Sequence, residues 1–508
     1  MTTGAALVAR ATASTVASLF VAAARRAPDR LAIDHMTYRA VADRVGRLAG
    51  ALAARGAGRG TRALVLSENR AEVLELYLAA ASLGMVVAAP GWRLAAPELA
   101  HCVALVGPSL VFASPRHAAR LPSPHVPIVF GDDYEAMLAE ATPRAPDPEV
   151  DPEDPLLVLF TSGTTGLPKG AVVSHRAQIH RNLVVRAEFG IAPEDTFAAW
   201  SPLSHMGAAD QSLGALMSGG RVVVIDGFDR ERLAELVATE PLGWLILMPG
   251  MIAGFADELE RRGVRPRGVK LCGVMADLVP PAEIARITTL LAAPFANTFG
   301  ATETGCPPCS SSRIPVGVAP TRLSKEQSPF CEVRLVDPDD RDVPDGEPGE
   351  LAFRGPTLFS GYLDAEDTNR HDFRSGWFHM GDVFVRHPDG SLDFVDRKKY
   401  LIKSGGENIY PAEIERVLLA DPRVADAAVV RQKDARWGEV PVAFVAARDA
   451  SLTEDDLRRR CRAELAGFKQ PKAIRFIPFE AFPRSASGKI QRHELERLLE
   501  PPAGEEPR

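Results

Sequence analysis

Apolar residues recur at helical spacing through "TYRAVADRVGRLAGALAARG" and stop at Gly56, which predicts an amphipathic helix ending on a glycine. A short apolar run, "TRALVLSE", follows as a buried strand, then "RAEVLELYLAAASLG" as a helix and "GMVVAAP" as a strand. "AAPELAHCVALVG" reads as the next helix and "PSLVFAS" as the next strand. This βα alternation predicts a parallel sheet covered by helices. The segment "PRAPDPEVDPEDP" (143–155) reads as a linker that exposes its backbone. Beyond it, "LLVLF" (156–160) is a buried strand, and a second βα series carries "RVVVID", "LGWLILM", "GVKLCGV" and "FANTFG" as strands. From about Cys331 the pattern shifts to shorter alternating strands with Asp-Gly and Pro-Gly turns. Within it, "VFVRHPDGSLDFVDR" reads as a hairpin turning at Asp389-Gly390. The last stretch, from about 399 to 508, has helices and strands of its own.

Composition narrows the class without deciding it. A chain of 508 residues is too long for one core, and 46% hydrophobic with 25% charged residues is ordinary for a globular protein. The net charge of −7 gives no basic footprint for nucleic acid or an anionic membrane. The longest apolar run, Leu76 to Pro90, falls short of the ~20 residues that span a bilayer and reads as a buried helix entering a strand. No export signal stands out at the N-terminus, and six scattered cysteines form no disulfide framework, so a cytoplasmic protein is expected. Cys306 and Cys309 in "CPPC" have the spacing of a redox or zinc half-site, but no second ligand pair lies nearby and prolines block a helix start. They are read as chance spacing in a loop. Only ten of the 59 basic residues are lysines, so each lysine invites a question.

The chemistry begins at "FTSGTTGLPKG" (160–170). Gly163, Gly166 and Gly170 free the backbone to turn N–H groups inward, Ser162, Thr164 and Thr165 add hydroxyl donors, and Lys169 adds charge. Such a nest after a buried strand suits nucleotide phosphates, although its spacing is not that of a Walker loop.

"TSGTTGLPKG" also resembles the signature of the adenylate-forming superfamily of acyl-CoA synthetases, coumarate–CoA ligases, luciferases and peptide-synthetase adenylation domains. Its other motifs follow in order: "FGATETG" (299–305), "HMGDVFVRHPDG" (379–390), "DRKKYLIKSGGENIYPAEIE" (396–415) and "FPRSASGKIQR" (482–492). The resemblance implies an α/β fold. It has a large N-terminal domain (1–396) of parallel βα layers plus a small distorted barrel, a hinge at 397–400 around Lys399, and a small mobile α+β C-terminal domain (401–508). It implies that ATP and CoA are co-substrates, that Mg²⁺ binds Glu303, that Thr302 bonds the α-phosphate, and that Asp382 and Arg397 take the ribose. Lys489 would bridge carboxylate and α-phosphate during adenylation, and Lys403 would approach the adenylate after the C-terminal domain rotates. Thr161, Met275, Ala276, Asp277, Asn297, Thr298, Phe299, Gly300, Ala301 and Phe394 complete the implied nucleotide site. Ser404, Gly405, Gly406 and Glu407 join Lys403 on the implied CoA face. Lys398 is read as a solvated charge. A homodimer is open.

Two stretches depart from the family pattern. "GVMADL" (273–278) has Val274 and Met275 where two glycines are usual, and "RLSK" (322–325) replaces a Gly-Ser-Val-Gly loop. The implied acyl pocket draws on His205, Met206, Ala208, Ala209, Val274, Met275, Gly300 and Cys306. No Lys or Arg lies between Arg186 and Arg221, which disfavours an acid with a second carboxylate, and Asp210 is a candidate partner for an amine. The expectation is a bulky hydrophobic monocarboxylic acid: alicyclic, aryl, terpenoid or fatty. A stand-alone adenylation enzyme loading a carrier protein is the main alternative, ahead of a luciferase-like oxidation or a non-catalytic nucleotide sensor.

Overall fold

The computed structural model describes residues 11–161, 167–404, 407–484 and 490–499. The helix predicted first spans Tyr38–Ala54, with the Thr37 hydroxyl accepting from the Ala40 N–H at its start. The strand Arg62–Leu66, the helix Ala71–Leu83 and the strand Val86–Ala89 follow as the pattern requires. They join a six-stranded sheet ordered Ile128–Val129, Leu110–Ala113, Arg62–Leu66, Val86–Ala89, Pro155–Thr161, Lys169–Ser174, parallel except for its last pair. Alternation along a strand feeds both faces. Ala63 and Val65 enter the main core, while Leu64 and Leu66 pack with Leu99 and Val103 on the other side.

The second βα series forms an eight-stranded sheet in which Val269–Cys272, Leu242–Leu245, Thr196–Ala199 and Arg221–Val224 run parallel at the centre. One continuous core takes in side chains of both sheets and the helices Val16–Arg26, Ala71–Leu83 and Met206–Ser218. The region after Cys331 is a four-stranded antiparallel meander: Glu332–Val336, Pro348–Arg354, Phe378–Arg386 and Leu392–Arg397. This open meander stands where the small distorted barrel was expected. Its last hairpin turns at Asp389-Gly390, with Arg386 opposite Leu392. Strand Ile402–Ser404 belongs to a separate five-stranded sheet, so a three-residue turn, Lys398–Tyr400, separates two sheets. That second sheet has apolar clusters on both faces, one built on Ile414 and Leu457 and the other on Phe482 and Leu495. Among the described residues no helix is long and apolar enough to cross a membrane.

Three further expectations change. The segment 143–155 does not expose its backbone: Arg144 N–H donates to the Gly46 carbonyl and Asp147 N–H to that of Ser82, at 2.9 and 2.8 Å. It lies so close over helix Tyr38–Ala54 that a Cβ at Gly50 would sit 2.0 Å from the Thr142 carbonyl oxygen. "FANTFG" is two strands, Phe295–Ala296 in the eight-stranded sheet and Phe299–Ala301 in a separate hairpin. "CPPC" is no loop, because Gly305–Cys309 is the second strand of that hairpin.

Candidate active site

The hairpin Phe299–Ala301/Gly305–Cys309 lifts Thr302 and Glu303 to its tip. Gly300 makes the hairpin possible, since a Cβ there would sit 2.0 Å from the Gly305 carbonyl oxygen. The Thr304 hydroxyl closes the tip by accepting from Ala301 N–H at 3.1 Å and donating to the Pro307 carbonyl at 2.6 Å. Beneath it lies Arg181, 1% exposed, on helix His175–Phe189. Its Nη2 donates to the Thr302 carbonyl at 2.9 Å, its Nε to that of Thr357 at 3.0 Å, and its Nη1 stands 3.2 Å from Asp210 Oδ2. Burial raises the pKa of Asp210, and the guanidinium opposes that shift. Asp210 is therefore not open to a substrate amine. The sequence window from Arg186 to Arg221 missed its partner by starting one helical turn too late.

Lys169 and Glu303 meet on one side chain. Tyr362 donates its hydroxyl to Glu303 Oε1 at 2.7 Å, and the Lys169 ammonium lies 4.7 Å from the centre of its ring. Burial, and then the neighbouring carboxylate, push the phenol's pKa up, so it stays a donor. Backbone pairing fixes the arrangement: Val172 N–H donates to Gly361, Ser360 N–H to Val172 and Leu363 N–H to Gly170, while Phe359 N–H donates to Glu303. Thr161 pairs with Lys169 at the mouth of the glycine-rich turn. Ser162, Gly163, Thr164, Thr165 and Gly166 lie outside the described residues.

Asp382, 0% exposed, and Arg397 face each other on the last hairpin of the meander, Nε to Oδ1 at 2.9 Å. The Asp382 carboxylate raises the pKa of Arg397. Phe299 stacks on Phe394 at 5.1 Å and meets Phe384 edge-on at 4.8 Å. The two meander rings thus pin the Phe299–Ala301 strand to the meander. Asn297 and Thr298 are buried where the chain passes between two sheets. Met275 adopts left-handed φ 50° and ψ 56°, ahead of the short turn Ala276–Leu278 that contains Asp277.

Of the acyl-pocket candidates, His205 caps helix Met206–Ser218, its Nδ1 accepting from Gly207 N–H at 3.3 Å. Met206, Val274 and Met275 are half-buried, and the first two pack against the main core. Ala208 and Ala209 are fully enclosed in that core, which makes them packing residues rather than pocket wall. Cys306 is buried close to Asp210 and Arg181, and burial raises its thiol pKa. The Cys309 thiol is pushed up to about 12 by burial, so both sulfurs stay protonated at neutral pH.

In the C-terminal sheet, Lys403 and Glu407 are exposed and Ser404 is buried. Gly405, Gly406 and Lys489 lie outside the described residues. The stem of the Lys489 loop is described: Arg484 bridges Ile490, and Gln491 N–H donates to the Pro483 carbonyl at 2.7 Å. Arg492 pairs with the buried Glu415 at 2.6 Å and lies 4.6 Å from the Tyr400 ring centre, joining these residues to the turn Lys398–Tyr400. Lys399 sits over the same ring, at 4.9 Å. Lys398 is not merely solvated; its ammonium is 3.0 Å from Glu350, which Arg374 also binds. Arg448 pairs with Glu283 across the two units.

Residues 20–363 match the family model for an AMP-binding enzyme, and residues 413–489 match that for an AMP-binding enzyme C-terminal domain. The chain belongs to the AMP-binding enzymes. It is 32% identical over 488 residues to an indoleacetate–CoA ligase of Aromatoleum aromaticum, covering 91% of this chain and 93% of that protein. It is 33% identical over 487 residues to a feruloyl-CoA synthase of an Amycolatopsis species, covering 93% and 97%. A crystal structure of ATP-bound MatB from Rhodopseudomonas palustris superposes with a TM-score of 0.82 at 26% identity, covering 95% of this chain and 98% of that one. This AMP-binding enzyme is an AMP-forming acid–thiol ligase.

Three residues that brace these candidate positions escaped the sequence reading: Arg181, Tyr362 and Lys325, the last buried against Asp277 and Asn297. Arg and Tyr carry no motif here. Lys325 carried a usable signal, as one of few lysines and at the end of a departing segment. Among the described residues no group of three or more His, Cys, Asp or Glu side chains could hold a metal. Glu303 has one carboxylate oxygen engaged by Tyr362. Such a donor set fits a hard cation that arrives with phosphate oxygens and water, rather than one caged by protein.

Proposed function

We propose that this ligase condenses a bulky hydrophobic monocarboxylic acid with ATP to give acyl-AMP and pyrophosphate, then passes the acyl group to the thiol of CoA and releases AMP. The meeting of Lys169 and Glu303 on Tyr362 carries the reading, because it joins the base of the glycine-rich turn to the proposed α-phosphate hairpin. Two anions must approach, and charge placed around the α-phosphate lowers that barrier. Lys169 and the backbone N–H groups of 162–166 hold the phosphates, Thr302 bonds the α-phosphate, and Asp382 with Arg397 holds the ribose. Mg²⁺ at Glu303 would supply charge neutralisation to the phosphates when bound. Lys489 brings its ammonium to the carboxylate and the α-phosphate. The carboxylate oxygen then bonds to phosphorus as the bond to pyrophosphate breaks. A rotation of 401–508 about 397–400 withdraws Lys489 and brings Lys403, Ser404, Gly405, Gly406 and Glu407 to the adenylate, where the CoA sulfur displaces AMP from the acyl carbon.

The relatives named for indoleacetate and ferulate, both aryl monocarboxylates, support the choice of acid. So does Arg181, which is buried against Asp210 and two carbonyls and is closed to a second substrate carboxylate. The test is acid-dependent exchange of labelled pyrophosphate into ATP across a panel of aryl, alicyclic, terpenoid and fatty acids. Products are then weighed with CoA or a carrier protein as acceptor. Exchange with an aryl or alicyclic acid and an acyl-CoA product are expected. No exchange with any acid, despite nucleotide binding, overturns the reading.

A further inference from the structure

The two stretches that depart from the family pattern meet in the fold. Lys325, from "RLSK", is 0% exposed. Its ammonium lies 2.6 Å from Oδ2 of Asp277, from "GVMADL". It also donates to Asn297 Oδ1 at 2.7 Å and to the Leu323 carbonyl at 3.4 Å, so each of its three N–H groups has an acceptor. Asn297 returns the contact, its Nδ2 donating to the carbonyls of Leu323 and Ser324 at 3.1 and 3.0 Å. Along the backbone, Lys325 and Leu392 exchange two hydrogen bonds, each 2.8 Å. Leu392 begins the strand that carries Phe394 and Arg397. One lysine therefore touches the turn after Met275, the segment leading into the Thr302 hairpin, and the ribose hairpin.

The turn needs such a tether. Met275 holds a left-handed backbone conformation that a residue with a Cβ adopts at a cost, and such conformations persist where the surroundings over-determine them. Asp277, two residues on, is the turn's charged contact with the rest of the site. Neighbouring Cys309 is buried and protonated and offers no competing charge.

We propose that Lys325 is a positioning residue for the adenosine half of ATP, and that the buried Lys325–Asp277–Asn297 link fixes the turn 275–278 against the 297–301 segment. The inference rests on the reading that these two segments line the nucleotide site. The link replaces a loop of small residues with a charge-assisted peg, so the two departures are one compensated change. Breaking the pair leaves Asp277 without its cation and frees the turn.

Calorimetric titration with ATP, AMP and inorganic pyrophosphate, on the full chain and on Lys325→Met, tests this. A rise of about tenfold or more in the Kd of both nucleotides is expected, with pyrophosphate binding and the KM for the acid moving less than about twofold. Asp277→Asn should weaken ATP about threefold, and Lys325→Met/Asp277→Asn should be no worse than Lys325→Met alone, since both remove one link. A thermal melt of each variant separates positioning from folding. Nucleotide and acid affinities lost together with the melting transition, additive effects in the double variant, or unchanged ATP affinity in Lys325→Met each overturn the proposal. Failure of the unsubstituted chain to bind ATP at all would instead overturn the nucleotide-site reading beneath it.

Discussion

Two arginine–carboxylate pairs, each with a buried carboxylate, serve opposite halves of this ligase. Arg181–Asp210 lies against the main core, and the guanidinium also donates to the carbonyls of Thr302 and Thr357. Arg492–Glu415 lies in the C-terminal sheet, and that guanidinium faces the Tyr400 ring of the turn between the two units. The first pair fixes the hairpin that carries Thr302 and Glu303 to the part of the molecule with the most buried apolar surface. The second ties the stem of the Lys489 loop to the proposed hinge, so loop and hinge turn together. Under the proposed rotation, a stationary site can be welded at its carbonyls, whereas a travelling one must be rigid within itself and loosely joined to the rest.

Breaking the stationary half should cost most. Arg181→Met leaves Asp210 buried without its cation and should remove about 3–5 kcal/mol of stability, read by urea denaturation. The apolar double replacement Arg181→Met/Asp210→Leu should recover much of that stability, yet leave adenylation slow because the Thr302 carbonyl has lost its donor. Equal recovery of stability and rate would show that the pair does nothing for the hairpin.

Breaking the travelling half should spare the fold. Lys489→Ala should slow pyrophosphate exchange about 10²–10³-fold, while supplied acyl-adenylate still reacts with CoA. Equal loss of both half-reactions would show that the arm is not specific to adenylation.

Acid should separate the halves next. His175, buried at the start of the helix that carries Arg181, accepts from Val16 N–H and has its pKa lowered to about 4 by burial. The unfolded chain takes up a proton near pH 6.5 and the folded chain does not until about pH 4. Stability from this group is therefore complete above pH 6.5 and falls as pH drops from there toward 4. The loss is about 2 kcal/mol between pH 7 and pH 5, and denaturation of His175→Gln at the two pH values should lack it. Tyr362→Phe should have the smallest effect, weakening ATP use about three- to tenfold through the lost bond to Glu303. Steady-state KM for ATP reads it.

Much of this was legible in the sequence because it is local. The 3.6-residue period of 38–54, the alternation of 62–66 and the Asp389-Gly390 turn are written in neighbouring residues, and the ordered motifs located Glu303, Asp382 and Arg397. What stayed hidden joins residues far apart in the chain. Nothing near Arg181 announces Asp210, and nothing near Lys325 announces Asp277. The polar segment 143–155 looked solvated because most of its side chains are, while the Arg144 N–H bonds to a helix face opened by Gly46 and Gly50 and the Asp147 N–H to the next helix at Ser82. "FANTFG" read as one strand because Asn297 and Thr298 leave the apolar pattern for only two positions, enough to send the chain into a second sheet.

The short segment around Tyr362 also seals a border. By pairing with Lys169–Ser174 it occupies backbone donors and acceptors that would otherwise fringe the six-stranded sheet. An open fringe invites other chains to add themselves as strands. For the proposed rotation of 401–508 a closed fringe is an advantage, since copies crowded together then find nothing there to zip onto.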